Sequence, residues 1–249
     1  MKESKPASPV QTANAYIAPN PEAKGNVLIL HGMDASSLLD YARFINDAGY
    51  TPVVIDMRAH GQSEGESLFF GYLETLDVTA VIDFLQADSR FNQQPIILYG
   101  LSMGGSTAIN TAAEFGNVDG IIAISPFLSL QDQVRDYMLR DGAPELFVSA
   151  FQPFVNLVLW QKYNVRPVQQ SPAVSVQNLA DIPVLIAHGE ADTQTSVYHG
   201  ETLHEQNSST QKELWIAPDK DHLIVNDVLA DDSEFYRERI VDFLHRHFD

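Results

Sequence analysis

Short runs of consecutive apolar residues alternate along this chain with longer stretches in which apolar positions recur every three or four residues. Runs of the first kind fall at 27–30, 52–55, 96–99, 120–124, 184–187 and 214–217, and they read as parallel strands buried on both faces. A segment at 13–18 reads as an antiparallel edge strand. The longer stretches predict helices over 38–48, 73–85, the residues after Ser102, 198–205 and 235–248. In the second of these Leu73, Leu76, Ala80 and Phe84 share a face, and in the last Tyr236, Ile240, Phe243 and Leu244 form the stripe. Such alternation calls for right-handed crossovers, so the expected fold class is α/β, a mostly parallel sheet of about seven strands with helices on both faces.

One stretch breaks the rhythm. Between the strand at 120–124 and the strand at 184–187, residues 128–181 far exceed what a crossover needs, and they read as a small helical cap inserted into one domain that spans 1–249. The run from Phe147 to Trp160 is unusually apolar. Its first use is to pack the cap onto the main domain, and its second is to line an acyl or aromatic pocket, for which Phe151 and Trp160 are the candidates. Residues 1–12 are polar, carry Pro6 and Pro9, lack the apolar core of a signal peptide and read as a flexible arm.

The candidate chemistry begins at Gly100-Leu101-Ser102-Met103-Gly104, which lies between a predicted strand and a predicted helix. Glycines two residues either side of a serine suit a sharp corner that exposes the hydroxyl. A serine hydroxyl needs a base to take its proton and a carboxylate to orient that base. Downstream, the strand at 184–187 empties into His188-Gly189-Glu190-Ala191-Asp192, and the strand at 214–217 into a loop that ends in Asp221-His222. Asp192 and His222 are therefore the expected acid and base, with Glu190 and Asp132 as rivals for the acid. Acyl transfer also needs backbone donors aimed at the developing oxyanion, and the N–H groups of Met33, after the strand at 27–30, and Met103, opening the elbow helix, are placed to supply them. His31 is expected to orient that turn, Arg58 and His60 to hold neighbouring turns, and His188 to make a structural hydrogen bond.

These motifs, in this order, resemble the α/β-hydrolase family from about residue 12 to residue 247. His31-Gly32 is similar to its oxyanion turn, 56–63 to its Asp-x-Arg-x-x-Gly-x-Ser loop, 100–104 to its nucleophile elbow, 188–192 to its acid turn and Asp221-His222 to its histidine loop. Within that family the chain is most similar to small bacterial hydrolases that resemble monoacylglycerol lipases, feruloyl-type esterases and serine aminopeptidases. The resemblance implies the α/β-hydrolase fold, esterase-like chemistry through an acyl-enzyme and no cofactor.

Composition narrows the substrate. Among 249 residues, 15 are basic and 33 acidic, a formal charge of -18 that repels phosphate backbones and strongly anionic substrates. A small neutral ester is the expected partner, and nucleic acid is not. With no cysteine, disulfides and thiolate chemistry are excluded. The histidines lack a compact ligand spacing, so no metal is expected. No run of about 18 apolar residues is present to span a bilayer. As given, the chain reads as cytoplasmic, and as exported or membrane-tethered if a leader once preceded it. An aminopeptidase or acyltransferase of the same fold is the alternative, the former needing a carboxylate pair such as two of Asp136, Asp141 and Glu145. A non-catalytic binding protein is the rival from another class.

Overall fold

The computed structural model describes residues 13–33 and 38–249; the arm expected at 1–12 lies outside them. In chain order the elements are β1 (Asn14–Ile17), β2 (Asn26–Leu30), α1 (Leu39–Asp47), β3 (Thr51–Asp56), α2 (Glu74–Ala87), β4 (Ile96–Leu101), α3 (Met103–Phe115) and β5 (Gly120–Ile124). There follow α4 (Leu130–Arg140), α5 (Glu145–Tyr163), α6 (Pro172–Ser175), β6 (Val184–Gly189), α7 (Val197–Gln206), β7 (Lys212–Ala217) and α8 (Glu234–Phe248).

The strands form one sheet in the order β1-β3-β2-β4-β5-β6-β7, with β1 antiparallel to β3 and every other pairing parallel. Because β3 and β4 flank β2 on opposite sides, the chain changes direction of winding there, and the crevice beyond the ends of β2 and β4 is where an open α/β sheet binds ligands. Register sharpens this. Leu30 pairs with Gly100, Leu101 with Ile124 and Gly189 with Ala217, so the loops after β2, β4, β6 and β7 all leave from one edge.

Alternation along each strand splits the core in two. Leu28, Leu30, Val53 and Ile55 face α2 and α3, while Val27, Ile29, Val54 and Tyr99 face α1 and α8. The stripe predicted on α8, Tyr236, Ile240, Phe243 and Leu244, is buried.

Two expectations need correction. In α2 the buried face is Val78, Val81, Ile82 and Leu85, not Leu73, Leu76, Ala80 and Phe84, and Phe84 is 50% exposed. Both sets satisfy helical spacing; polar contacts at the start of the helix decide between them. Arg58, in the loop after β3, donates from Nη2 to Asp77 at 2.8 Å in a buried ion pair, and Glu74 accepts from the Gly71 N–H at 2.8 Å. Turning those carboxylates inward rotates Phe84 to solvent. The second correction is β7, which is half-buried rather than covered on both faces because it is the sheet edge. Among the described residues no helix is long and apolar enough to cross a membrane.

Candidate active site

A single residue, Ser102, separates β4 from α3, and its φ of 53° and ψ of -114° lie where a non-glycine backbone is strained by about 1–3 kcal/mol. The corner is this tight because a Cβ on Gly100 would overlap the Gly104 carbonyl, and one on Gly104 would overlap the Leu30 carbonyl of β2. Only hydrogen fits where strand, turn and helix cross. The Ser102 N–H donates to the Ile124 carbonyl at 2.7 Å, fixing the corner to the end of β5.

The loop after β7 brings His222 to this corner. His222 Nε2 lies 2.8 Å from Ser102 Oγ, and Nδ1 lies 2.7 Å from Asp192 Oδ2 in the turn after β6. A carboxylate only accepts, so the proton sits on Nδ1 and the Nε2 lone pair faces the serine hydroxyl. The Asp192 side chain has no exposed surface. Its Oδ1 accepts from the N–H groups of Gln194 and Thr195, both at 2.8 Å, and its Oδ2 also lies 3.1 Å from His188 Nε2. Burial alone would raise the pKa of this carboxyl, but the hydrogen bonds from His188, His222 and Thr195 outweigh it and hold Asp192 well below the usual carboxylate range.

The other acid candidates are occupied elsewhere. Asp132 stands in the first turn of α4 beside its cap Ser129, whose Oγ accepts the Asp132 N–H at 3.1 Å and donates to the Asp132 carboxylate at 2.5 Å. Glu190 is exposed and accepts the Asp219 N–H at 3.3 Å. Asp136 pairs with His199, Asp136 and Glu145 both contact Arg135, and Asp141 pairs with Arg140.

At the end of β2, His31 Nδ1–H donates to the Gly32 carbonyl at 2.7 Å and Nε2 accepts the Met57 N–H at 3.0 Å. That pattern requires a neutral ring, and burial, opposed by the bond to Gly32, lowers the pKa of His31. His60 Nε2 sits 2.8 Å from the Met33 carbonyl and clasps the next peptide. A Cβ built on Gly32 would stand 3.5 Å from that of Ser102, so this turn abuts the serine directly. Met103 is the first residue of α3, where helix N–H groups lack intrahelical partners.

A cavity of about 330 Å³ opens beside Ser102 and His222, with Gly32, Met33, Tyr41 and Tyr137 among its walls. The charged side chains lining it, among the described residues, are Asp40 and Asp227. Phe151 and Trp160 do not line it; they stand on α5, 40% and 50% exposed, and α4 supplies Tyr137 instead. Ser125, Gln133 and Thr195 carried no signal strong enough to single them out. Ser125 Oγ–H donates to the His222 carbonyl, while Gln133 holds the acid turn through Gln194 O at 2.9 Å and Thr195 Oγ1 at 3.1 Å. The Ser-Pro pair that follows β5 could have pointed to the first; a lone glutamine on a helix points to nothing.

Residues 21–175, more than half of the chain, match the family described as serine aminopeptidase, S33. The chain belongs to that family of α/β-hydrolases. This hydrolase is 27% identical to Bacillus subtilis YqkD over 234 residues, which cover 92% of the chain and 73% of YqkD. It is 33% identical to human monoglyceride lipase over 118 residues, 45% of the chain and 38% of the lipase, so it spans well under half of that relative. Among solved structures, the Pyrococcus furiosus esterase Pf2001 superposes with a TM-score of 0.70 at 24% identity, covering 92% of the hydrolase and 86% of the esterase. That likeness shows the shared α/β-hydrolase fold.

Proposed function

We propose that this protein is a serine hydrolase that cleaves small neutral carboxylic esters through an acyl-enzyme. The observation that carries the reading is the continuous chain from Ser102 Oγ to His222 Nε2 at 2.8 Å and from His222 Nδ1 to Asp192 Oδ2 at 2.7 Å. His222 takes the Ser102 proton as Oγ attacks the carbonyl carbon, and Asp192 keeps the imidazole in the tautomer that accepts and stabilises the imidazolium. The N–H groups of Met33 and Met103 hold the oxyanion. His222 then returns its proton to the departing alcohol, and water, activated by the same base, releases the acid and restores Ser102.

Strain at Ser102 supports catalysis over a non-catalytic scaffold, because it falls on the one hydroxyl that His222 Nε2 reaches. The acidic side chains lining the cavity, with the charge of -18, favour neutral over anionic substrates. Residues 128–181 act as a cap whose α4 forms one wall of the site. The family match keeps an aminopeptidase as the second reading. A fluorophosphonate probe should label Ser102 in the folded protein and not in S102A, and p-nitrophenyl esters set beside amino-acid arylamides separate the two readings. No labelling, with no turnover of either class, defeats both.

A further inference from the structure

We propose that His188 is a positioning residue for the proton relay, holding the Asp192 carboxylate in the orientation that serves His222. This rests on the reading of Ser102, His222 and Asp192 given above.

His188 is the fifth residue of β6 and the sole polar side chain in that strand, where Val184, Leu185, Ile186 and Ala187 are all fully buried. Its own side chain has no exposed surface. Nε2 lies 3.1 Å from Asp192 Oδ2 and 2.9 Å from the Thr195 carbonyl. Both are acceptors, so Nε2 carries the proton, which it donates to the Thr195 carbonyl with the Asp192 carboxylate standing beside it. Nδ1 is buried without a hydrogen-bond partner. The face of α7 that seals it is Gly200, where a Cβ would come within 2.7 Å of Nδ1. The ring is thus locked between strand and helix, with Nε2 turned to the acid turn and Nδ1 against Gly200.

Burying an imidazole in an otherwise apolar strand is costly, and an aliphatic residue would suit that position better. What the imidazole supplies in return is a polarised N–H beside Asp192 and a tie to the turn that holds it. Oδ1 is held by Gln194 and Thr195, Oδ2 accepts from His222 and stands 3.1 Å from His188 Nε2, and the Thr195 carbonyl accepts the His188 N–H. With the His188 donor removed, the carboxylate is free to turn about its Cβ–Cγ bond, and the negative charge on Oδ2 is less dispersed. The first effect loosens the imidazole against Ser102. The second stabilises the imidazolium of His222 and so moves the acid limb of the activity profile to higher pH. The nearby carboxylate of Asp221 interacts unfavourably with Asp192 but stays bound to the Thr193 N–H at 2.9 Å, and the substitution leaves it in place.

Three variants test this: H188L, which deletes the donor; H188Q, whose Nε2–H reaches the same place; and G200A, which presses a methyl against Nδ1 and leaves the relay residues untouched. The readouts are kcat and KM for p-nitrophenyl acetate across the pH range, and the downfield proton resonance of the His222–Asp192 hydrogen bond, which needs no turnover. The expected result is a loss of about tenfold or more in kcat for H188L with KM nearly constant. The acid limb moves up, the resonance shifts or broadens, H188Q restores most of the rate, and G200A gives a weaker form of the H188L change. A folded H188L with wild-type kcat, acid limb and resonance overturns the proposal. If H188L does not fold, G200A decides, and a wild-type profile and resonance there overturn it equally. Failure of the hydrolase reading shows separately, as a wild-type protein that neither labels with fluorophosphonate nor turns over ester.

Discussion

Ser125 and His222, ninety-seven residues apart, are joined by a hydrogen bond from the serine hydroxyl to the histidine main-chain carbonyl. Ser125 is buried, has a φ of 47° and donates its own N–H to the Ala187 carbonyl of β6 at 2.8 Å. The residue before it, Ile124, accepts the Ser102 N–H. The end of β5 is therefore a common mount for the backbones of Ser102 and His222, and it helps to fix the separation between their two loops.

From that mount follows a first expectation. S125A should lower kcat by about tenfold through misalignment, with KM little changed, and should cost about 1 kcal/mol of stability for the lost hydrogen bond. Steady-state kinetics and urea unfolding of the same preparation read both numbers, and an unchanged kcat would show that the loop positions itself.

Ser102 and His222 should behave as one unit. S102A and H222A are each expected to remove ester turnover by several orders of magnitude, and the double variant should be scarcely worse than either. Losses that multiply would mean that the two side chains act independently.

The acid assignment separates three carboxylates. D192N presents an amide to donors that need an acceptor and should cost orders of magnitude in kcat. D132N weakens only the α4 cap, a change of about 1 kcal/mol or less in stability, and E190Q should be near neutral. A severe kinetic loss in D132N with D192N active would reverse the assignment.

How much of this was legible beforehand differs by element. The strands were, because parallel strands buried on both faces leave unbroken apolar runs, and the turn residues at 100–104 and 188–192 fix where the loops leave the sheet. The edge strand β7 and the rotation of α2 were not. One depends on having no further neighbour, and the other on the Arg58–Asp77 pair, whose partners stand in different elements. In the same way Ser102, Asp192 and His222 could be named from local motifs, whereas Ser125 and Gln133 act through partners ninety-seven and about sixty positions away. His188 lies inside the acid-turn motif, which points to a structural hydrogen bond; that it bonds the Thr195 carbonyl and stands against Asp192 itself needed coordinates.

Asp192 gives a dependence of stability on pH whose sign is fixed by its lowered pKa. Its folded value lies below the unfolded one, about 3.9, so the contribution is fully present above that pH and is lost as pH falls toward the folded value. The stability gap between wild type and D192N should narrow as pH falls below about 4. Chemical denaturation at several acidic pH values measures it, and a gap that keeps its full size there would contradict a carboxylate held ionised by its hydrogen bonds.

The cavity, rather than α5, should set acyl preference. At about 330 Å³ it is small, and each buried methylene stabilises the transition state by about 0.8 kcal/mol until the space is filled. In a series of p-nitrophenyl esters kcat/KM should rise through the short chains and then level off. Tyr137 lines this cavity, so Y137A should move the plateau to longer chains. Phe151 and Trp160 are exposed and away from its walls, so F151A and W160A should leave the profile where it was and change stability by no more than about 0.5 kcal/mol. A shifted profile in either variant, with Y137A unchanged, would place the acyl group against α5 and return those aromatics to the binding site.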